Sequence, residues 1–210
     1  MRVASSRQPS LRQALWHRHV NAVAPAPGMR SWLGTGGSLT ARLTAHSNAF
    51  RVQRLHQRVA LCLADEARAI GMARPGRVWE REVLLRCDGK PVVFAHTVVP
   101  MTATAADWPL FGRLGERSLG TTLFCDPLVR RGELEFARLR VGHPLVRRAR
   151  AALGEAFPRP VYYARRCLYR RHQGTLLVTE VFLPPVMDLT AAPNFGSIHN
   201  EPQLTNESIF

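Results

Sequence analysis

From residue 77 onward the chain is dominated by apolar runs with a period near two, each closed by a turn signal. Residues 78–87 and 91–99 read as strands joined by Asp88-Gly89, a dipeptide suited to the type I′ turn of a tight hairpin. Residues 133–141 form a further strand, and 161–171 with 175–183 predict a second hairpin around Gln173-Gly174. Upstream, residues 50–59 alternate as a strand and lead into a short helical or loop stretch ending near Gly76. Helical spacing marks 11–20, 29–33, 39–46, 108–114, 119–124 and 143–156, the last with Leu145, Ala149, Ala152 and Leu153 as its apolar stripe. Ser38 precedes 39–46 as an N-cap, and Pro25 and Pro27 break the chain before 29–33. Hairpin-connected strands pair antiparallel, so the expected fold is α+β: a single antiparallel sheet of about six strands with helices gathered over it.

Two charges interrupt that pattern. On the strand 78–87 one face carries Trp79, Arg81, Val83 and Leu85, and the other carries Glu80, Glu82 and Arg86 with Val78 and Leu84. Arg81 is thereby predicted to point inward, where a guanidinium needs a partner or an anionic ligand. Glu180 shares a face with Leu176, Val178 and Phe182 on a strand that is apolar on both sides. A carboxyl group there is paired, protonated or functional. A buried Arg81–Glu180 ion pair and a ligand gripped by both residues fit this pattern equally well. Two turns add backbone donors: the Gly-rich stretch ending at Ser38 frees amides near Leu39, and Ser118 does the same at Leu119.

Composition narrows the classes. The 210 residues are 46% hydrophobic and 21% charged, as in ordinary globular proteins, and no apolar run reaches the roughly 20 residues that span a bilayer. Stable membrane insertion is not expected. The net charge of +14 invites a nucleic-acid reading, but all 29 basic residues except Lys90 are Arg, and they are spread evenly without a basic-aromatic motif. Nucleic acid is therefore not an expected partner, although a positive field can speed capture of a small dianion. The four cysteines, Cys62, Cys87, Cys125 and Cys167, are widely spaced, which suits reduced thiols in a cytoplasmic protein. His17 and His19 have no Cys, Asp or Glu nearby, so no metal site is expected. Residues 1–64 hold nine Arg and no acidic residue, a feature of transit peptides.

The same residues carry a resemblance. Trp79-Glu80-Arg81-Glu82-Val83-Leu84-Leu85, Asp88-Gly89-Lys90-Pro91 and Thr97-Val98-Val99-Pro100 resemble bacterial chorismate pyruvate-lyases. So do Ser118-Leu119-Gly120, Leu123-Phe124 and Leu176-Leu177-Val178-Thr179-Glu180-Val181-Phe182-Leu183-Pro184, in the same order from about residue 30 to 189. The resemblance implies a sheet with helices covering a buried ligand site. It also implies conversion of chorismate to 4-hydroxybenzoate and pyruvate, the opening step of ubiquinone biosynthesis, without cofactor or metal. It assigns Arg81 and the backbone amides of Leu39 and Leu119 to the ring carboxylate of the ligand, and Glu180 to the oxygen across the ring, as a proton donor with a burial-raised pKa or as an orienting group. Leu39 stands where the family has Met, a change that a backbone contact should survive, and the segment 130–160 is longer than the family's.

Ser31-Trp32-Leu33 and Ser38-Leu39-Thr40 fall where the family has lid helices, so the basic N-terminal region belongs to the folded domain and not to a transit peptide. The expected plan is an N-terminal extension with a first lid helix (1–28), a chorismate lyase-like domain (29–189) and a flexible tail (190–210) in a monomer. The alternative is a non-catalytic effector-binding domain of the same fold, as in some GntR-type regulators. Those carry an upstream helix-turn-helix domain, for which fewer than 30 residues precede the matched region here.

Overall fold

A computed structural model describes residues 13–103, 107–154 and 159–189. Six strands form one antiparallel sheet: β1 (Phe50–Leu61), β2 (Arg77–Cys87), β3 (Lys90–Pro100), β4 (Val129–Arg140), β5 (Val161–Arg171) and β6 (Gly174–Phe182), in the order β1-β2-β3-β6-β5-β4. Five α-helices accompany them: α1 (Pro27–Leu33), α2 (Leu39–Ala45), α3 (Ala64–Ala69), α4 (Leu119–Cys125) and α5 (Pro144–Leu153). The α+β class and the hairpin-built sheet thus agree with the sequence pattern. Asp88 and Gly89 both have positive φ, +49° and +78°, as a type I′ turn requires.

Both faces of the sheet are covered, for a reason visible in the residues. On one face Val83 and Leu85 of β2 and Phe182 of β6 pack against Trp32, Leu33, Leu39 and Leu43 of α1 and α2. On the other, Leu84, Phe94 and Val181 pack against Leu145, Val146 and Ala149 of α5. Each fully buried side chain of this size contributes roughly 1.5–3 kcal/mol, so the helices are fixed chiefly by these contacts and not by their own short lengths. Ser38 caps α2 by accepting from the amide of Ala41 at 3.2 Å, as its position predicts.

Several expectations are corrected. Residues 13–19 form no helix; the backbone of His17 instead pairs with Phe136 on β4, and the turn at Val20–Val23 is 3-10. Within the expected helix 108–114, only Phe111–Arg113 is helical, again 3-10. α5 runs Pro144–Leu153 and Gly154 follows with φ +61°, a left-handed ending, while 155–156 lie outside the described residues. β4 begins at Val129, four residues before the expected strand, because it continues its ladder with β5 through a bulge between Arg131 and Leu134. The second hairpin turns at His172-Gln173, with Gly174 already in the ladder opposite Arg171; any Cβ at Gly174 would collide with Asp107. The tail 190–210 lies outside the described residues.

Candidate functional site

In an antiparallel ladder, directly paired residues project to the same face, so the strand pairings lay out the site as rows. Arg81 pairs with Thr97, Thr97 with Val178, Val178 with Cys167, and Cys167 with Leu134. Two residues along, Val83 pairs with Ala95, Ala95 with Glu180, and Glu180 with Arg165. These rows floor a pocket of about 630 Å³ of non-protein space, part of it open to solvent. Helices α2 and α4 roof it, their first turns facing one another: Thr40 Oγ1 and Ser118 Oγ are 2.7 Å apart. All four residues singled out from sequence, Arg81, Glu180, Leu39 and Leu119, line this one pocket.

Arg81 is 2% exposed. Its guanidinium donates to the carbonyl oxygens of Gly115 and Arg117, each at 3.0 Å, while its Nε is buried without a hydrogen-bond partner. Among the described residues no carboxylate pairs with it. Burial and the nearby Arg54 charge bring its pKa down to about 10, which still leaves it cationic at neutral pH. An unpaired buried cation is costly unless an anion joins it.

Glu180 is placed differently from the simplest expectation. It does not pair with Arg81, nor is it isolated in an apolar wall. Arg165 Nε donates to Glu180 Oε2 at 2.5 Å, and the Glu180 side chain keeps 18% of its surface open. Arg165 also donates to the carbonyls of Leu33 and Thr35, so it ties the end of α1 to the Glu180 carboxylate. Strand spacing puts the backbones of Arg81 and Glu180 about 12 Å apart, two strands across and two residues along.

Arg165 was not found by sequence reasoning. Its signal exists, since Tyr163, Arg165, Cys167 and Tyr169 share a face, but it is masked by Arg166, Arg170 and Arg171 in the same strand. Nor was a second polar cluster, on the opposite face of the sheet. There His96, 1% exposed, lies 2.9 Å from Glu66 Oε1 in a bent ion contact and 3.1 Å from Glu82 Oε1. Arg148 of α5 reaches Glu80 and Glu82 at 2.7 Å each. Burial alone would strip the proton from His96, but the carboxylates of Glu66 and Glu82 outweigh it and raise its pKa to about 10. Burial likewise opposes the charge on Glu82, yet His96 and Arg148 hold its pKa down to about 2. His56, Glu80 and Glu82 come close enough to share a cation, but Arg148 already supplies the countercharge to both carboxylates. This second cluster is a closed ionic network.

Known proteins resemble this chain in sequence and in fold. The family described as chorismate lyase matches residues 10–191. A protein of Cupriavidus metallidurans named "Probable chorismate pyruvate-lyase" is 47% identical over 88% of this chain and 87% of its own length. A protein of the same name from Ralstonia nicotianae is 52% identical over 73% of this chain and 80% of its own. Among solved structures, the C-terminal domain of PhnF matches at a TM-score of 0.50 with 16% identity, covering 68% of this chain and 87% of that domain, a likeness of fold alone. On the extent of these matches, the chain belongs to the chorismate lyase family.

Proposed function

We propose that the protein is a chorismate pyruvate-lyase, which eliminates pyruvate from chorismate to leave 4-hydroxybenzoate. The observation that carries this reading is Arg81: a buried, charged guanidinium with an unused donor, facing a pocket roofed by two helix starts. The Arg81 guanidinium and the amides of Leu39 and Leu119 hold the ring carboxylate. Glu180, oriented by Arg165, receives the hydroxyl on the far side of the ring, and a spacing of two strands suits a single ring gripped at both ends.

The chemistry asks little else of the protein. The ring–oxygen ether bond breaks and its electron pair stays with the departing enolpyruvate. The neighbouring ring carbon loses its proton, and the enolpyruvate gains one at its methylene carbon to become pyruvate. The gain is an aromatic ring, and no electron is transferred, so positioning and charge stabilisation suffice. The protein works as a monomer in the cytoplasm, and the likeness of fold to the PhnF domain reflects a shared scaffold, not a shared role. Incubating the purified protein with chorismate tests the reading: 4-hydroxybenzoate and pyruvate are expected in equal amounts. Binding of chorismate without turnover would favour the non-catalytic effector-binding alternative.

A further inference from the structure

The pocket carries more positive charge than its own carboxylate offsets. Its wall holds three guanidinium groups, Arg81, Arg131 and Arg165, and one carboxylate, Glu180. Arg165 and Glu180 neutralise each other. Burial raises the Cys167 thiol and the Tyr169 phenol above their ordinary values, so neither adds negative charge at neutral pH. What is left is Arg81 and Arg131, each with a buried Nε that has no hydrogen-bond partner and neither paired with a carboxylate among the described residues. Arg81 is fully buried and Arg131 half-buried, and two such cations without a carboxylate partner in one pocket match a ligand with two negative charges.

We propose that Arg131 holds the second carboxylate of the substrate, the one on the enolpyruvyl arm, and so grips the group that leaves as pyruvate. This assignment rests on the lyase reading above. Arg131 stands at the β4 bulge, where Gly132 lies so close to the Leu168 carbonyl that a Cβ would come within 2.8 Å. Its guanidinium donates to the carbonyl of Gly36 in the loop before α2 and lies 5.5 Å from the centre of the Phe124 ring. In the sheet order β2-β3-β6-β5-β4 Arg131 stands on the strand beyond the Glu180–Arg165 pair, in the row of Tyr169 and Leu176, two residues from the Arg81 row on the side away from Glu180. With the ring carboxylate on Arg81 and the hydroxyl at Glu180, an ether arm turned toward β5 and β4 would bring its carboxylate to the Arg131 guanidinium, which lines the same pocket. When the ether bond breaks, its electron pair moves onto that arm, so Arg131 stands where negative charge grows.

The test separates the two carboxylates, because chorismate has both and 4-hydroxybenzoate has one. Arg131→Gln is expected to lower kcat/KM for chorismate by about thirtyfold or more. It should change the Kd of 4-hydroxybenzoate by less than about threefold, since that ligand has no arm to lose. Arg131→Lys, which keeps the charge but not the planar fork, should recover part of the loss and carries the same comparison if the Gln variant does not fold. Unchanged kcat/KM overturns the assignment. So does parallel weakening of both ligands, which a merely structural tether to Gly36 would give. A parent protein that releases no pyruvate from chorismate fails the lyase reading itself and takes this assignment with it.

Discussion

The two faces of the sheet handle buried charge in opposite ways. Toward α3 and α5, Glu66, Glu80, Glu82, His96 and Arg148 form a network in which every charge has a counter-charge within 3.1 Å. Toward α2 and α4, Arg81 and Arg131 have none among the described residues. The same strand serves both: on β2 Glu80 and Glu82 point one way and Arg81 the other, and on β5 Arg166 pairs with Glu135 behind the sheet while Arg165 faces the pocket. Buried charges that satisfy one another hold the fold together, and those that do not are waiting for a ligand. The imbalance, more than burial or charge alone, marks the functional face.

Breaking each face should therefore have a different signature. On the closed face, His96→Gln leaves Glu66 and Glu82 buried without their shared cation, at a cost of about 3–5 kcal/mol. For a chain of this size that lowers Tm by roughly 6–20 °C, while the folded fraction should keep its kcat/KM. On the open face, Arg81→Ala should cost about 2–5 kcal/mol in kcat/KM for chorismate and shift Tm by only a few degrees. If instead Arg81→Ala unfolds the protein and His96→Gln abolishes turnover, the division of roles is reversed.

The closed face also predicts a pH profile. His96 has its folded pKa raised from 6.5 to about 10, so its stabilisation is complete below pH 6.5 and is lost as pH climbs toward 10. Glu82 has its pKa lowered from 4.5 to about 2, so its share is complete above pH 4.5 and lost as pH falls toward 2. Thermal melts should show a plateau between about pH 4.5 and 6.5, with an alkaline decline that His96→Gln flattens. The smallest effect lies at the roof. Thr40→Val removes the hydroxyl contact to Ser118, worth about 0.5–1.5 kcal/mol, and should speed 4-hydroxybenzoate dissociation a few-fold in stopped-flow measurements without a change in Tm beyond a few degrees.

The open face was largely legible from sequence and the closed face was not. Arg81 and Glu180 break the period of strands that are otherwise apolar on those faces, and Asp88-Gly89 and Ser38 carry their turn and cap chemistry locally. The resemblance to a known family then added the roles of Leu39 and Leu119. Glu80 and Glu82, by contrast, share their face with Arg86 as well as Val78 and Leu84, a mixture that does not mark burial. Their burial depends on α3 and α5 landing on that face, a long-range outcome with no local marker. His17 illustrates the same limit, because a stretch with helical spacing is drawn into pairing with Phe136. Arg131 was hidden because the bulge at Gly132 breaks the period by which β4 would have been traced back to Val129.

Calorimetric titration of 4-hydroxybenzoate into the parent protein and into folded Arg81→Ala tests the central claim most directly. If the unpaired Arg81 guanidinium is the anchor for the ring carboxylate, the variant should bind about thirtyfold more weakly or worse while its melting curve stays cooperative. Parental affinity in a folded Arg81→Ala protein would contradict it.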